Sequence, residues 1–202
     1  MYFSKNTIEN LDSRYRAHFI NSLSGFKSAN LIGTQDNQGH TNLAIVSSVF
    51  HLGAHPPLVG MIIRPHSVPR HTLENILETG FYTINHVNKT IYQQAHQTSA
   101  RYDKAESEFI ATGLEAEYLA DFKAPYVKDS RLKYGVELKE HHHLEINGTE
   151  LIIGEITAIH LDEHSIDNDG FVDIESLETV AVSGLDSYHT TERLARLAYA
   201  KK

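Results

Sequence analysis

Apolar and polar residues alternate along several short stretches of this chain, and this period of two predicts β-strands. In the first half of the chain the predicted strands cover residues 28–34, 41–50, 58–63 and 81–87. In the second half they cover residues 134–143 and 150–161, with shorter pieces at 171–174 and 179–182.

Two tight turns connect neighbouring predicted strands. The first lies in Asp36-Asn-Gln-Gly39 and the second at Asn147-Gly148. Asn and Gly tolerate the positive φ angles that such turns require, so both segments predict hairpins and therefore antiparallel pairing.

Helical spacing of apolar residues is confined to short segments. Leu73, Ile76 and Leu77 recur at this spacing, and Gly80 supplies a C-terminal stop. Further helices are predicted at residues 90–100, 104–109 and 187–200. Because no helix connects parallel strands, the pattern favours a mainly β fold, a closed antiparallel barrel with several flanking α-helices.

Composition narrows the class of protein. The chain has 202 residues and a net charge of −8, and it has no cysteine, which excludes disulfides, iron–sulfur clusters and cysteine nucleophiles. We treat residues 1–202 as a single domain, because this length is typical of one compact unit. The sequence has no apolar run of membrane-spanning length and no signal-peptide pattern, so we expect a cytoplasmic protein without a membrane partner. Scattered basic residues argue against nucleic-acid binding.

Three segments match metal-binding motifs in part of their residues and spacing, but each lacks the secondary structure or a ligand that the motif requires. His160 and His164 have the spacing of an inverted zinc-protease motif, which requires a helix, yet they follow a predicted strand. His141-His142-His143 is interpreted as a solvated strand surface, because successive side chains alternate between faces. Residues 167–170 resemble a calcium loop, but Ser176 stands where the closing glutamate belongs, so a plain turn is expected.

Polar residues interrupt an otherwise apolar predicted strand. Asn42, Ser47 and Ser48 lie among Leu43, Ala44 and other apolar residues up to Val49. A buried hydroxyl without a partner costs about 1–3 kcal/mol, so a polar group is expected to meet this strand.

A second polar group surrounds the start of the predicted helix at residue 72. Arg64 ends a predicted strand, and Ser67 and Thr72 follow it. Together with the free N–H groups of a helix start they could form an anion site. Alternatively, Ser67 or Thr72 merely caps the helix and Arg64 pairs with a surface carboxylate. The residues alone leave both interpretations open.

These segments also carry a family resemblance that extends from about residue 29 to residue 200. Its motifs include Asn42-Leu-Ala-Ile-Val-Ser-Ser48, Pro56-Pro-Leu-Val59, Thr72-Leu-Glu-Asn-Ile-Leu-Glu-Thr-Gly80, Ile153-Gly-Glu-Ile156 and Gly184-Leu-Asp-Ser-Tyr188. In order and spacing they resemble the flavin reductase-like proteins with an FMN-binding Greek-key split barrel, in particular the flavoredoxin type.

The resemblance implies a homodimer that binds FMN non-covalently near the subunit interface. Strand residues would line the flavin ring, residues after the third strand would bind the phosphate, and the region of Tyr188 would complete the pocket or the dimer contact. The implied cofactor-binding residues are Asn42, Leu43, Ala44, Ser47, Ser48, Val49, Arg64, Ser67, Thr72, Asn75 and Tyr188.

The implied activity is an NAD(P)H-dependent flavin reductase, in which hydride passes from a nicotinamide to FMN. No side-chain nucleophile or general base is required, because the cofactor supplies the chemistry. Two alternatives stay open. One is an FMN-binding electron carrier without turnover, and the other is a histidine-rich metal-binding barrel.

Overall fold

The computed structural model describes residues 1–201 and is dominated by one antiparallel sheet. Its seven strands follow the order β3-β2-β6-β9-β10-β5-β4. Their bounds are β2 (Asn30–Gln35), β3 (Thr41–Val46), β4 (Val49–Ala54), β5 (Pro57–Ile63), β6 (Phe81–His86), β9 (Leu132–Leu144) and β10 (Thr149–Leu161). The prediction of a mainly β, antiparallel fold is confirmed.

Smaller elements surround this sheet. Two minor sheets contain β1 (Lys27–Ser28), β11 (Ala181–Ser183) and β12 (Ser187–His189), and β7 (Ala116–Glu117) and β8 (Tyr126–Val127). The helices are α1 (Lys5–Glu9), α2 (Ser13–Ser22), α3 (His71–Thr79), α4 (Tyr92–Gln97) and α5 (Glu108–Thr112), with a 3₁₀ turn at Glu163–Ser165.

Both predicted hairpin turns are confirmed. Gly39 has a φ of +91°, and the Asp36 carboxylate accepts hydrogen bonds from the N–H groups of Gln38 and His40. Gly148 has a φ of +71° between β9 and β10. Here the local turn chemistry sets the strand register, as expected from the sequence.

The strand predicted at residues 41–50 is wrong in one respect. The chain bends at Ser47 and Ser48, so β3 ends at Val46 and β4 begins at Val49. The two segments then occupy opposite ends of the sheet order. Serine is a weak strand former, and this pair of polar residues marks the point where the chain leaves one edge and enters the other.

The helix predicted at residues 187–200 is also wrong. Residues 187–189 form β12, and residues 190–201 have neither helix nor strand. The apolar spacing of Leu194 and Leu197 fits a helix, but both side chains are exposed in this chain. Without an apolar surface to cover, such a short segment lacks the packing that stabilises protein helices.

Smaller differences concern the other predicted segments. The helix expected at residues 90–100 is shorter, the one expected at 104–109 begins only at Glu108, and residues 171–174 contribute one isolated bridge between Val172 and Ile166 instead of a strand. Helices α1 and α2 are not among the predicted elements, although Ser4 and Asp12 cap them. Neither of these helices has a buried residue.

Two apolar cores lie on opposite faces of β2 and β3. The inner core contains Ile32, Met61, Tyr82 and Ile152, with Leu73 and Ile76 of α3 packed over it. The outer core contains Leu31 and Leu43 and is covered by α4, α5 and the segment before β11. Alternation along β2 and β3 therefore sends successive side chains into different cores, and α3 lies over the inner one.

Candidate functional site

The site begins at the two free edges of the large sheet. β3 and β4 are its terminal strands and do not pair with each other among the described residues. Ser47 and Ser48 connect them, and the Ser48 hydroxyl donates to the carbonyl oxygen of Ile62 at 2.6 Å. The hydroxyl proton of Ser48 is thereby used within the chain, so its oxygen is left to accept hydrogen bonds.

The edge strand β3 has part of its backbone covered by side chains. The Leu43 N–H donates to the carboxylate of Glu108 at 2.9 Å, and the Ile45 N–H donates to the hydroxyl of Thr98 at 2.9 Å. Burial of Glu108 raises its pKa, and the bond from Leu43 only partly opposes that effect. α5 and the segment after α4 are thereby fixed along this edge.

A buried polar cluster ties α3 to β2 and β3. The Asn42 side-chain amide donates to the Thr72 hydroxyl at 2.9 Å and to the Thr34 hydroxyl at 3.4 Å. The Asn75 amide donates to the same Thr34 oxygen at 3.1 Å. Asn75 is 2% exposed, and its Oδ1 atom has no hydrogen-bond partner among the described residues. Three predicted site residues are thus brought together, and one buried acceptor is left free.

The start of α3 is open to an anion. Arg70 precedes the helix and provides no side-chain cap, and the N–H groups of His71, Thr72 and Leu73 have no partner in the described chain. The Glu74 carboxylate accepts from the Arg70 N–H and from His66, and it has a lowered pKa, because these bonds outweigh the effect of burial. Free N–H groups at a helix start attract negative charge.

Two further arginines, Arg64 and Arg101, lie within electrostatic reach of Arg70 beside this helix start. Burial, followed by repulsion from Arg64 and Arg101, lowers the pKa of Arg70. The Arg70 Nε–H donates to the Pro65 carbonyl oxygen at 3.2 Å, which fixes the side chain. None of the three forms an ion pair with a described carboxylate, whereas Arg131 pairs with Glu178. In a chain of net charge −8, such a cluster is typical of an anion-binding site.

The remaining predicted site residues are distributed around this centre. Ser67 is exposed in the loop before α3, and Ala44, Ser47 and Val49 are half-buried along the two edges. Leu43 is fully buried in the outer core. Tyr188 lies elsewhere in the fold, where its hydroxyl is 3.0 Å from the His96 Nδ1 atom and its ring packs on Tyr92.

Sequence reasoning missed Arg70, Arg101 and Glu108. Arg70 stands two residues before Thr72, so its position was available from the sequence. Arg101 and Glu108 are about 30 residues further along the chain, and the contacts of Thr98 and Glu108 with β3 bring this segment back to the site. No local sequence pattern predicts that Arg101 and Glu108 lie near the site.

The histidine clusters of the described chain pair with carboxylates. Among residues 1–201 no three metal-ligating side chains converge on one point. Instead, His141 and His143 each lie 2.8 Å from one oxygen of the Glu150 carboxylate, and His142 faces Glu140. The predicted alternation of the three histidines is confirmed. His160 ends β10 and His164 lies in the 3₁₀ turn, so the helix of a zinc-protease motif is absent there.

No helix in residues 1–201 combines the length and the apolar character that crossing a bilayer demands.

Comparison with known proteins identifies the class defined by this fold. A Shewanella frigidimarina structure with a split barrel domain is 68% identical with a TM-score of 0.96, covering 99% of this chain and all of that one. Flavoredoxin of Desulfovibrio vulgaris is 22% identical with a TM-score of 0.74, covering 87% and 92% of the two chains. An FMN-binding protein from Thermus thermophilus is 17% identical with a TM-score of 0.69, covering 85% and 90%. The fold is a split barrel, as the sequence resemblance implied.

The family model for the flavin reductase like domain matches residues 23–175. This chain therefore belongs to the flavin reductase-like family, a family of flavin-binding proteins. The matched region contains β2 to β10 and α3, and with them the free edges, the buried polar cluster and the three arginines.

Proposed function

We propose that this protein binds FMN non-covalently and catalyses its reduction by NAD(P)H. The observation that carries the proposal is the group of Arg64, Arg70 and Arg101 beside the open start of α3. Family membership gives the ligand class, and the arginine group matches the dianionic phosphate that distinguishes FMN from riboflavin.

The residues present fit this cofactor. Arg64, Ser67 and the N–H groups at the start of α3 would bind the phosphate, with Arg70 and Arg101 adding positive charge. The free Oδ1 atom of Asn75 requires a donor, which the ribityl hydroxyls or the ring N–H of FMN supply.

The flavin ring, at the other end of the cofactor, would lie between the unpaired edges of β3 and β4. In the proposal Asn42, Leu43 and Ala44 provide the strand beneath the ring, while Ser47, Ser48 and Val49 form the bend beside it. Because the Ser48 hydroxyl donates to Ile62, we assign the donors for the ring to backbone N–H groups and to Ser47.

FMN, when bound, supplies the redox chemistry by accepting two electrons from the nicotinamide. The protein orients the ring and compensates the charge of the phosphate. We also infer that two copies associate with the flavin near their interface. In this arrangement Tyr188, which contacts His96 and Tyr92 of its own chain, would complete the pocket or the subunit contact.

FMN titration of purified protein tests the binding site. We expect Arg64→Ala to weaken FMN binding by about 1.5–3 kcal/mol, or roughly 10- to 150-fold, the range for a hydrogen bond to a charged group. Arg131→Ala is the matched control, because Arg131 is paired with Glu178 away from α3. Equal FMN affinity in the Arg64 variant and the wild type would remove Arg64 from the site.

Steady-state oxidation of NADH and NADPH with excess free FMN tests the reaction. A reductase consumes many equivalents of nicotinamide per protein, and the ratio of the two rates gives the preferred nucleotide. Oxidation that stops after one equivalent per bound flavin would instead assign the electron-carrier function.

A further inference from the structure

We propose that three side chains at the rim of the barrel, His141, Glu150 and His143, position the phosphate site and make FMN affinity depend on pH. We call this group the histidine clamp, and we call residues 64–70, between β5 and α3, the phosphate loop. The inference rests on the proposed function, because it concerns the FMN phosphate assigned to that loop. It adds a control on cofactor binding that the reaction itself does not require.

The clamp is a buried carboxylate held between two imidazoles. Glu150 is 6% exposed. Its Oε1 atom lies 2.8 Å from the His143 Nδ1 atom, and its Oε2 atom lies 2.8 Å from the His141 Nε2 atom. The bonds from His143 and His141 lower the pKa of Glu150, and the bond to Glu150 raises the pKa of His143. The carboxylate therefore stays ionised at neutral pH, where imidazoles gain and lose protons.

Strand pairing places the clamp beside the phosphate loop. Glu150 lies directly opposite Ile63, the last residue of β5, and Arg64 follows Ile63 in the chain. Ile63 and Leu73 of α3 belong to the same inner core, which Glu150 borders because it precedes Ile152 by two positions on one face of β10. A change of charge at Glu150 therefore occurs close to the open start of α3.

Direct contacts also connect the clamp to the arginines. His143 and Glu150 flank the turn between β9 and β10. A Cβ atom at Gly148 in this turn would lie 3.6 Å from the Pro65 ring, so the turn packs against the phosphate loop. The Pro65 carbonyl oxygen accepts from the Arg70 Nε–H at 3.2 Å. The position of the hairpin tip is thereby linked to Arg70 through a single proline.

Other charged groups near the clamp are few in the described chain. β5 has no ionisable side chain. In the turn, the exposed Glu145 lies 3.9 Å from the His143 Nε2 atom. The titratable side chains at the start of α3 are His66, His71 and Glu74. These groups are common to the wild type and to every variant below, so a comparison at one pH separates the clamp from them.

The direction of the pH effect follows from the charges. With His143 protonated, its charge and that of Glu150 cancel, whereas loss of this proton leaves a net negative charge beside the phosphate loop. The ionic hydrogen bond that fixes the hairpin also becomes weaker. FMN affinity should therefore fall as the pH rises through the raised pKa of His143. We expect about a five-fold change in Kd, the order of magnitude for one charge acting on a phosphate at roughly 10 Å in a high dielectric.

FMN titration by fluorescence at about pH 6 and about pH 9 tests the proposal on the full chain. The double variant His141→Gln, His143→Gln is expected to bind FMN about five-fold more weakly than the wild type at the lower pH and equally at the higher pH. Glu150→Gln is expected to bind about five-fold more tightly than the wild type at the higher pH. The matched control is His142→Gln, because His142 faces Glu140 instead of Glu150, and it should follow the wild type at both.

A histidine double variant that is weakened by the same factor at both pH values, or at neither, would overturn the proposal. The thermal midpoint of each variant is recorded on the same samples. If the double variant is unfolded, Glu150→Gln decides the question, and unchanged or weaker FMN binding at about pH 9 overturns the proposal. Wild-type protein that binds no FMN at either pH contradicts the proposed function, whereas protein that binds FMN with variant ratios independent of pH contradicts the clamp alone.

Discussion

Two buried asparagines, Asn85 and Asn75, occupy neighbouring parts of the same barrel and differ in how their amides are bonded. The Asn85 amide donates to the Leu31 carbonyl oxygen and to Thr83, and its oxygen accepts from the Val127 N–H at 2.9 Å. The Asn75 amide donates only to Thr34 among the described residues, and its oxygen has no partner.

The comparison separates a structural polar group from one with capacity left for a ligand. A buried group whose partners all come from the chain stabilises the fold, because removing it leaves those partners unpaired. A buried acceptor without a partner costs stability in the unliganded protein, and a ligand donor recovers that cost on binding. Asn85 is of the first kind, and we assign Asn75 to the second.

The largest expected effect is on stability. Asn85→Ala removes a partner from the buried Leu31 carbonyl and the Val127 N–H, and we expect a loss of about 3 kcal/mol in the free energy of unfolding. Asn75→Ala is expected to cost about 1 kcal/mol, since one bond to Thr34 is lost. Urea denaturation with unchanged m-values measures both. Equal losses would remove the distinction between the two asparagines.

A smaller effect is expected on the affinity for FMN, and here the Asn75 variant is the one that is affected. Asn75→Ala should weaken FMN binding about ten-fold, because the acceptor for a flavin donor is gone. Asn88→Ala is the control, because Asn88 donates to the Asp129 carbonyl oxygen and accepts from Thr90. FMN titration by fluorescence provides the measurement. If both variants bind FMN like the wild type, the free oxygen of Asn75 has no part in binding.

The smallest effect is on the pH dependence of stability and concerns Glu108. Like Asn85, Glu108 accepts a hydrogen bond from a buried backbone N–H group, but its side chain can also be protonated. Burial raises its pKa, so the folded state favours the neutral carboxyl and stability falls as the pH rises through that raised pKa. Glu108→Gln keeps an acceptor for the Leu43 N–H without a charge. We expect the variant to gain stability relative to the wild type above this pKa and to lose that advantage in acid. Parallel pH–stability curves would contradict this account.

The sequence was most informative where structure is set locally. Strand alternation and the turn residues at Gly39 and Gly148 predicted both hairpins, because a tight turn fixes the pairing of the strands on either side. The Ser47-Ser48 pair also carried a signal, but it was interpreted as polar groups within a strand. It marks the break between β3 and β4.

Prediction failed where distant segments decide the outcome. Leu194 and Leu197 have helical spacing, yet the chain offers them no surface, and no helix forms. In the candidate site, Arg64, Ser67 and Thr72 can be proposed together from the sequence, because they lie within nine residues between the end of β5 and the first turn of α3. Arg101 cannot be proposed with them, because only the folding of a segment about 30 residues away brings it within electrostatic reach of Arg70.

The covered edge of β3 has a consequence for solubility. A free strand edge can template the addition of a foreign strand, which is how ordered aggregates start. Glu108 and Thr98 occupy the outward N–H groups of Leu43 and Ile45, so an incoming chain finds these donors taken. β4 has no such cover described, and its Phe50 and Leu52 side chains are exposed. We therefore expect an additional strand to pair with β4 more readily than with β3.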